Sequence, residues 1–153
     1  AGGGLAAAGA LRARDAGGPA VAAQHLYYPM LDDRPTVSRR ELAETGVWDA
    51  RLDALAWAAY LGGAPADAHA APARADDLGG LPPAYIDTGE LDLFRDEDVD
   101  YARRLAAAGV PVELHLERGA VHAFDVIAPD AALSRTVRAR RAAALRRDLE
   151  GTP

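Results

Sequence analysis

The sequence predicts an α/β protein built on a parallel β-sheet with helices on both faces. Helical patterns and short β-favouring segments alternate along all 153 residues, and this order is typical of parallel strands joined by crossover helices. The alternation starts on a helix, so we expect a further strand upstream of Ala1. We therefore interpret residues 1–153 as one partial domain whose N-terminal half is absent.

Turn-forming residues mark the boundaries of the elements. Gly17 and Gly18 stop the first helix, Pro29 ends the first strand, and Gly62 and Gly109 follow the next two helices. The predicted elements are, in order, a helix over 5–14, a strand over 21–31, a polar irregular segment over 32–46, a helix over 49–63, a strand over 83–89, a helix over 96–108, a strand over 110–117 and a helix over 131–149.

Composition narrows the classes of function. The formal charge is -6, so we expect no nucleic-acid partner. Cysteine is absent, which excludes disulfides, a thiol nucleophile and Cys metal ligands. The sequence has no apolar run long enough to span a membrane and no visible secretory signal. We expect a cytoplasmic protein, unless a segment upstream of Ala1 carries such a signal, and both a monomer and a homodimer stay open.

Asp92 and His122 are the main candidates for catalysis. They lie in "DTGELDLFRDED" and "ERGAVHAFD", which follow two predicted strands separated by one helix. A right-handed crossover brings these two loops to the same edge of the sheet, where neighbouring strands lie about 4.8 Å apart. We predict a hydrogen bond of about 2.6–3.2 Å between a carboxylate oxygen of Asp92 and a ring nitrogen of His122. An Asp that orients a His is two thirds of a nucleophile-activating triad.

The glycine-rich opening "AGGGLA" supplies a place for the third member. A strand, a sharp turn and a helix of small residues form the nucleophile elbow G-x-S-x-G, because small residues let the helix pack close to the strand. Ala1 and Gly2 would be its last two letters, and we expect Ser immediately before Ala1. Ser38 and Ser134 are the only serines in the chain. Neither follows a strand and precedes small residues, so we interpret both as polar surface positions and expect residues 1–153 alone to be inactive.

Together, these motifs resemble the C-terminal half of an α/β-hydrolase of the hormone-sensitive-lipase-like esterase family. The stretch from Ala1 to Ala6 matches the residues after the nucleophile Ser in that family, and "YYPMLD" resembles the strand after the elbow helix. Residues 71–97 resemble the acid-bearing segment, and "GAVHAFD" resembles the His-bearing segment. The chain departs from the family pattern at Leu93, where the family often has Pro, and at Ala123, where it often has Gly.

The resemblance implies hydrolysis of carboxylic esters through an acyl-enzyme. His122 would act as general base, Asp92 would orient it, and the backbone N–H of Ala1 would donate into the oxyanion hole. The resemblance also implies a small-molecule acyl ester as substrate, and neither a metal nor an organic cofactor. A cap contributes to the substrate pocket in this family, and residues 32–47 are candidates for the region near it.

Two other functions stay open. Gly2, Gly4 and Ala7 fit the dinucleotide-binding pattern G-x-G-x-x-A, although Asp32 lies too far along the chain to be the acid that accompanies it. A non-catalytic member of the superfamily would bind a ligand without chemistry, but it need not retain Asp92 and a His. The residue before Ala1 discriminates among the three interpretations.

The remaining polar and aromatic residues have less specific explanations. The histidines outside the motif lack metal-ligand spacing, and we interpret them as structural or solvated; they are His25, His69 and His115. The acids around Asp92 are interpreted mostly as helix-start or loop charges; they are Asp87, Glu90, Asp96, Glu97 and Asp98. Three large aromatic residues fit either the core or an acyl pocket; they are Trp48, Trp57 and Tyr60.

Overall fold

The computed structural model describes residues 1–44 and 47–151 and confirms the predicted class, a parallel sheet with helices. The chain divides into two compact units, Ala1–His122 and Ala123–Pro153. The elements are α1 (Gly2–Asp15), β1 (Gln24–Tyr27), α2 (Val37–Glu41), α3 (Ala50–Leu61), a 3-10 turn (Pro72–Arg74), β2 (Ala84–Gly89), α4 (Arg95–Ala107), β3 (Val112–Glu117), α5 (Phe124–Ile127) and α6 (Ala132–Glu150).

The three strands lie in chain order, β1-β2-β3, and both pairs are parallel. Leu26 pairs with Ile86 and Ile86 pairs with Leu114 across the sheet. Because parallel strands end at the same edge, the loops that follow β2 and β3 are neighbours. This arrangement is the one that the spacing of Asp92 and His122 predicts.

The larger hydrophobic core lies between one face of the sheet and the helices α1 and α4. Leu11 from α1, Leu26 from β1 and Ile86 from β2 are fully buried there together with Tyr101 and Leu105 from α4. These residues recur at helical spacing in the helices and on one face of the strands, so a single apolar stripe from each element meets in the core. Burial of a side chain of this size contributes about 1.5–3 kcal/mol relative to exposure.

Two segments differ most from those predicted. Strand β1 is shorter than residues 21–31, because Tyr28 adopts a φ of 37° and leaves the extended conformation. The expectation of an irregular segment over 32–46 is wrong at Val37–Glu41, where α2 forms. The Thr36 hydroxyl caps α2 by accepting a hydrogen bond from the Arg39 N–H at 3.1 Å. Thr45 and Gly46 of that segment lie outside the described residues.

The second unit contains a short helix and a long one. Arg141 Nη1 donates to Asp125 Oδ2 at 2.7 Å and joins α6 to α5. Both partners are largely buried, so the pair holds the two helices together. Helix α6 confirms the prediction for residues 131–149, whereas α5 is too short to leave a periodic pattern. Across residues 1–44 and 47–151, no helix is both long and apolar enough to cross a membrane.

Candidate active site

The glycines at the start of α1 allow this helix to approach the segment that follows β1. A Cβ atom at Gly3 would lie 2.8 Å from Cβ of Pro29. A Cβ at Gly4 would fall well inside 3.0 Å of the Met30 carbonyl oxygen, a separation that side chains do not tolerate. Gly3 and Gly4 are therefore required by packing. Ala1 is the N-cap of α1.

Asp92 is held rigidly in the turn between β2 and α4. Its side chain is fully buried, and its Oδ1 accepts a hydrogen bond from the Phe94 N–H at 3.0 Å. The backbone of the same turn is closed by the Asp92 N–H, which donates to the Gly89 carbonyl at 3.2 Å. Because Oδ1 already accepts from Phe94, Oδ2 is the oxygen that accepts a hydrogen bond from a further partner.

The loop that carries Asp92 is joined to the loop that carries His122. The Leu91 N–H donates to the Ala120 carbonyl at 2.9 Å, and the Gly119 N–H donates to Glu90 Oε2 at 2.8 Å. Gly89 makes this approach possible, because a Cβ there would lie 2.8 Å from the carbonyl carbon of Ala120. The sequence motif thus contains a glycine whose role is to let two loops touch.

His122 completes the pair. Its Nδ1 lies 2.8 Å from Asp92 Oδ2, within the range predicted from the sequence. Since the carboxylate oxygen is the acceptor, Nδ1 donates, and Nε2 is the ring nitrogen that remains for other chemistry. The His122 side chain is 15% exposed, so it lies at the edge of the protein interior while its partner lies inside.

Three aromatic rings surround His122, and the sequence did not predict this position for any of them. The ring of Tyr28 contacts it edge-on with centroids 4.7 Å apart, and the ring of Phe94 does so at 5.3 Å. Trp48 lies further away, at 6.0 Å. The positive φ of Tyr28 is a strained conformation for a bulky residue, and such residues cluster at functional sites. The sequence carried no signal for this strain.

The comparisons with known proteins agree with this geometry. A family model described as alpha/beta hydrolase fold matches residues 1–126. The chain belongs to the α/β-hydrolase family. It is 42% identical over 130 residues to esterase LipI of Mycobacterium tuberculosis, covering 81% of this chain and 40% of LipI. It is 42% identical over 144 residues to carboxylesterase NlhH of the same species, covering 86% of this chain and 44% of NlhH.

The structural similarity extends along the whole chain. The crystal structure of esterase LipW from Mycobacterium marinum superposes with a TM-score of 0.95 at 42% identity, covering 100% of this chain and 48% of LipW. The chain therefore spans less than half the length of these relatives. The predicted resemblance to the hormone-sensitive-lipase-like esterases is confirmed, and the dinucleotide-binding interpretation is left without support.

The two departures from the family pattern have structural correlates. Ala123 adopts a φ of 57° and a ψ of 26°, the left-handed region in which Gly is favoured, so the family's frequent Gly suits this backbone. Leu93 is 1% exposed and packs in a second hydrophobic cluster with Met30, Trp57 and Phe94. The leucine at this position contributes apolar surface that a proline would supply only in part.

Two cavities in the α/β-hydrolase chain meet at Ala1. The first has a volume of about 340 Å³ and is lined by Ala1, Gly2 and Tyr28 together with His122. The second is smaller, about 100 Å³, and is almost entirely apolar. Its lining includes Ala1, Met30, Ala56, Trp57 and Tyr60. Trp57 is 5% exposed and belongs to both core and cavity, whereas Tyr60 is half exposed.

A buried network of ionisable side chains, which the sequence did not predict, lies beside the site. Arg39 Nη2 donates to Glu97 Oε2 at 2.7 Å, and Arg39 Nε lies 3.3 Å from Asp53 Oδ2. Glu97 Oε1 also accepts the Leu31 N–H at 2.7 Å. Burial raises the pKa of Glu97 to about 8, while Arg39 and the N–H groups of residues 31 and 32 act in the opposite direction. Glu97 lies in the first turn of α4, as expected of a helix-start acid, and it is also buried against Arg39.

Asp98, the next residue of α4, is fully buried. Burial raises the pKa of Asp98 well above its ordinary value, and the nearby acids Glu97, Asp92 and Asp87 add to the effect. Thr88 is the side chain that acts on it as a hydrogen-bond partner, and this contact lowers its pKa. Burial therefore favours the neutral form of this carboxyl over the charged form.

The other predicted residues lie away from this network or have structural partners. His69 Nε2 is 2.9 Å from Asp15 Oδ2, and His115 Nε2 is 2.8 Å from Glu113 Oε1. The surface assignment of both serines is wrong, because Ser38 is 0% and Ser134 1% exposed. In the part of the chain that the structure describes, no cluster of three or more His, Asp or Glu side chains has an arrangement suited to a metal ion.

Proposed function

We propose that this chain is part of a carboxylesterase and contributes the base and the acid of a Ser-His-Asp triad, with the nucleophilic Ser immediately before Ala1. The observation that carries the proposal is the 2.8 Å contact between His122 Nδ1 and Asp92 Oδ2, in which the acid is fully buried. The named esterases among the relatives support the same chemistry. In this proposal residues 1–153 are one partial domain, and an N-terminal half supplies the elbow strand.

Asp92 fixes both the orientation and the tautomer of His122. Its Oδ1 is occupied by the Phe94 N–H and its Oδ2 by His122 Nδ1, so the imidazole is held with Nε2 as the basic nitrogen. The buried carboxylate also stabilises the imidazolium that forms when Nε2 takes a proton. This is the arrangement that general base catalysis by His requires.

The proposed reaction has two halves. The serine hydroxyl attacks the ester carbonyl carbon while His122 takes its proton, and the bond to the alcohol oxygen then breaks as His122 returns that proton to the leaving alcohol. The product of this half is an acyl-serine. A water molecule next gives a proton to His122 and attacks the acyl carbon, which releases the carboxylic acid and restores the serine hydroxyl.

Ala1 supplies the oxyanion donor in this proposal. Its backbone N–H lies at the first residue before α1, where unpaired N–H groups and the helix dipole favour negative charge. Ala1 and His122 line the same cavity. An ester carbonyl placed there would lie between the donor and the base, as acyl transfer requires.

The substrate class that we propose is a small acyl ester with a short acyl chain. The apolar cavity beside Ala1 is about 100 Å³, with Trp57 and Tyr60 on one wall. Apolar walls favour an alkyl group through the hydrophobic effect, and the small volume sets an upper limit on its length. No metal or organic cofactor is needed for this chemistry.

The test is active-site labelling of the intact protein that contains this chain. A fluorophosphonate probe is applied, and the modified residue is located by mass spectrometry alongside turnover of p-nitrophenyl acetate and butyrate. The proposal expects one adduct, on a serine directly before Ala1, together with loss of ester turnover. Turnover with an adduct elsewhere would contradict the assigned nucleophile. Tight ligand binding with neither adduct nor turnover would favour a non-catalytic member of the superfamily.

A further inference from the structure

We propose that Arg39 is a positioning residue for the Asp92–His122 pair, acting through Phe94 and Glu97. The proposal rests on the function proposed above for its catalytic meaning, but the contacts that carry it are independent of the reaction. Arg39 is 8% exposed and lies on the short helix α2. A guanidinium of this kind is buried only at a cost, unless paired and hydrogen-bonded groups surround it.

The surroundings of Arg39 connect four segments of the chain. Its Nη2 donates to the Asp32 carbonyl and to Glu97 Oε2, both at 2.7 Å, and its Nη1 donates to the Arg34 carbonyl at 3.2 Å. Its Nε lies 3.3 Å from Asp53 Oδ2 on α3. One planar side chain therefore holds the segment after β1, α3 and the first turn of α4 in fixed relation.

Phe94 is the link between Arg39 and the candidate site. The Arg39 guanidinium carbon lies 5.8 Å from the centroid of the Phe94 ring, within cation–π range. The same ring meets the His122 ring edge-on at 5.3 Å, and the Phe94 N–H donates to Asp92 Oδ1. Phe94 thus touches both members of the pair, and Arg39 lies against Phe94.

Ser38, the neighbour of Arg39 on α2, adds further contacts to the residues around Phe94. Its hydroxyl donates to the Leu93 carbonyl at 2.9 Å, and its N–H donates to Asp96 Oδ2 at 2.7 Å. Ser38 and Arg39 therefore fix the residues on both sides of Phe94. A displacement of about 1 Å at a catalytic group can reduce the rate roughly 100-fold, so a side chain that sets the place of Phe94 affects His122 without touching substrate.

The test compares Arg39→Met with Arg40→Met in the intact protein. Arg40 is exposed on the same helix and serves as the matched control. Two readouts are used: the downfield proton NMR resonance of His122 Nδ1–H in its hydrogen bond to Asp92, and kcat and KM for p-nitrophenyl butyrate. For Arg39→Met we expect a lost or shifted resonance and a kcat lowered roughly 100-fold with KM within about 3-fold, and for Arg40→Met no change.

Two further variants separate the loss of positioning from a loss of folding. Arg39→Met alone leaves two buried acids without their cation and can unfold the protein. The triple variant Arg39→Met, Asp53→Asn, Glu97→Gln replaces the cation and both of its acidic partners with neutral side chains, and we expect it to fold and still lose the resonance. Arg39→Lys keeps the cation but not the planar fork, and we expect partial recovery of the resonance.

A folded triple variant with wild-type resonance and wild-type kcat would overturn the role of Arg39. If the intact protein turns over no ester, the proposed function fails, and the resonance alone then decides whether Arg39 positions the pair.

Discussion

The glycine at position 4 is predicted to be indispensable for packing, whereas the glycine at position 9 of the same helix is not. A Cβ at Gly4 would fall well inside 3.0 Å of the Met30 carbonyl oxygen and 3.1 Å from its carbon. Ordinary contacts of a Cβ atom are 3.4–4 Å, so either α1 or the backbone at Met30 must move. A Cβ atom at Gly9 would have no heavy atom of the described residues within 4 Å, beyond those of its own helix backbone and chain neighbours.

The magnitudes follow from these distances. Overpacking against backbone costs about 1–3 kcal/mol and sometimes more, and Gly4 is at the upper end because a carbonyl group cannot rotate away as a side chain can. The helix gains about 0.5–1 kcal/mol from Gly→Ala at either position. We therefore expect Gly4→Ala to lower the free energy of unfolding by about 2 kcal/mol and Gly9→Ala to raise it by about 0.5–1 kcal/mol.

The assay is urea unfolding of the intact protein, monitored by far-UV circular dichroism. The dependence of the free energy of unfolding on urea concentration is compared between variants. The two substitutions are chemically identical and lie in one helix, so differences in the unfolded state cancel. Gly4→Ala with a free energy of unfolding equal to or above that of Gly9→Ala would refute the close approach of α1 to Met30.

Three further outcomes are expected. Gly89→Ala should separate the two loops that carry Asp92 and His122, since its Cβ would lie 2.8 Å from the Ala120 carbonyl carbon. If this pair acts as proposed, the substitution should lower kcat by at least about 10-fold; unchanged kinetics would contradict this. Asp98→Asn should raise the free energy of unfolding at pH 7 but not below about pH 4. The pKa of the buried Asp98 carboxyl is raised in the folded protein, so the free energy of unfolding of the wild type falls by up to ~1.4 kcal/mol per pH unit as the pH rises above the pKa of Asp98 in the unfolded chain. Urea unfolding at both pH values tests this. Ala56→Leu should lower kcat/KM for hexanoate relative to acetate by about 10-fold by filling the apolar cavity, whereas the exposed Ala59→Leu should leave the ratio unchanged.

The sequence predicted those features that depend on local pattern and on general rules of topology. Asp92 and His122 could be paired because each follows a strand, and consecutive parallel strands of this kind are neighbours. Gly3 and Gly4 predicted that α1 packs closely against a neighbouring segment, because glycine is unfavourable inside a helix unless there is no room for a side chain. Both predictions follow from the spacing of these residues along the sequence.

The features that the sequence did not predict depend on contacts between distant residues. Arg39 and Glu97 are 58 positions apart, and a charged side chain in a polar segment is expected to lie at the surface. Helix α2 has five residues, too few for a helical period. Tyr28, with its positive φ, lies where β1 ends, and its N–H donates to the Asp87 carbonyl of β2 at 2.7 Å. None of these interactions leaves a local pattern.

The most direct test of the proposed function is the ester turnover of His122→Ala in the intact protein, with His69→Ala as the matched control. His69 pairs with Asp15 at the surface by the same kind of contact, at 2.9 Å, but lies outside the candidate site. If His122 is the general base, kcat for p-nitrophenyl butyrate falls by roughly 10⁴-fold or more in His122→Ala and stays within about 2-fold of wild type in His69→Ala. A folded His122→Ala variant that retains wild-type turnover would contradict the account.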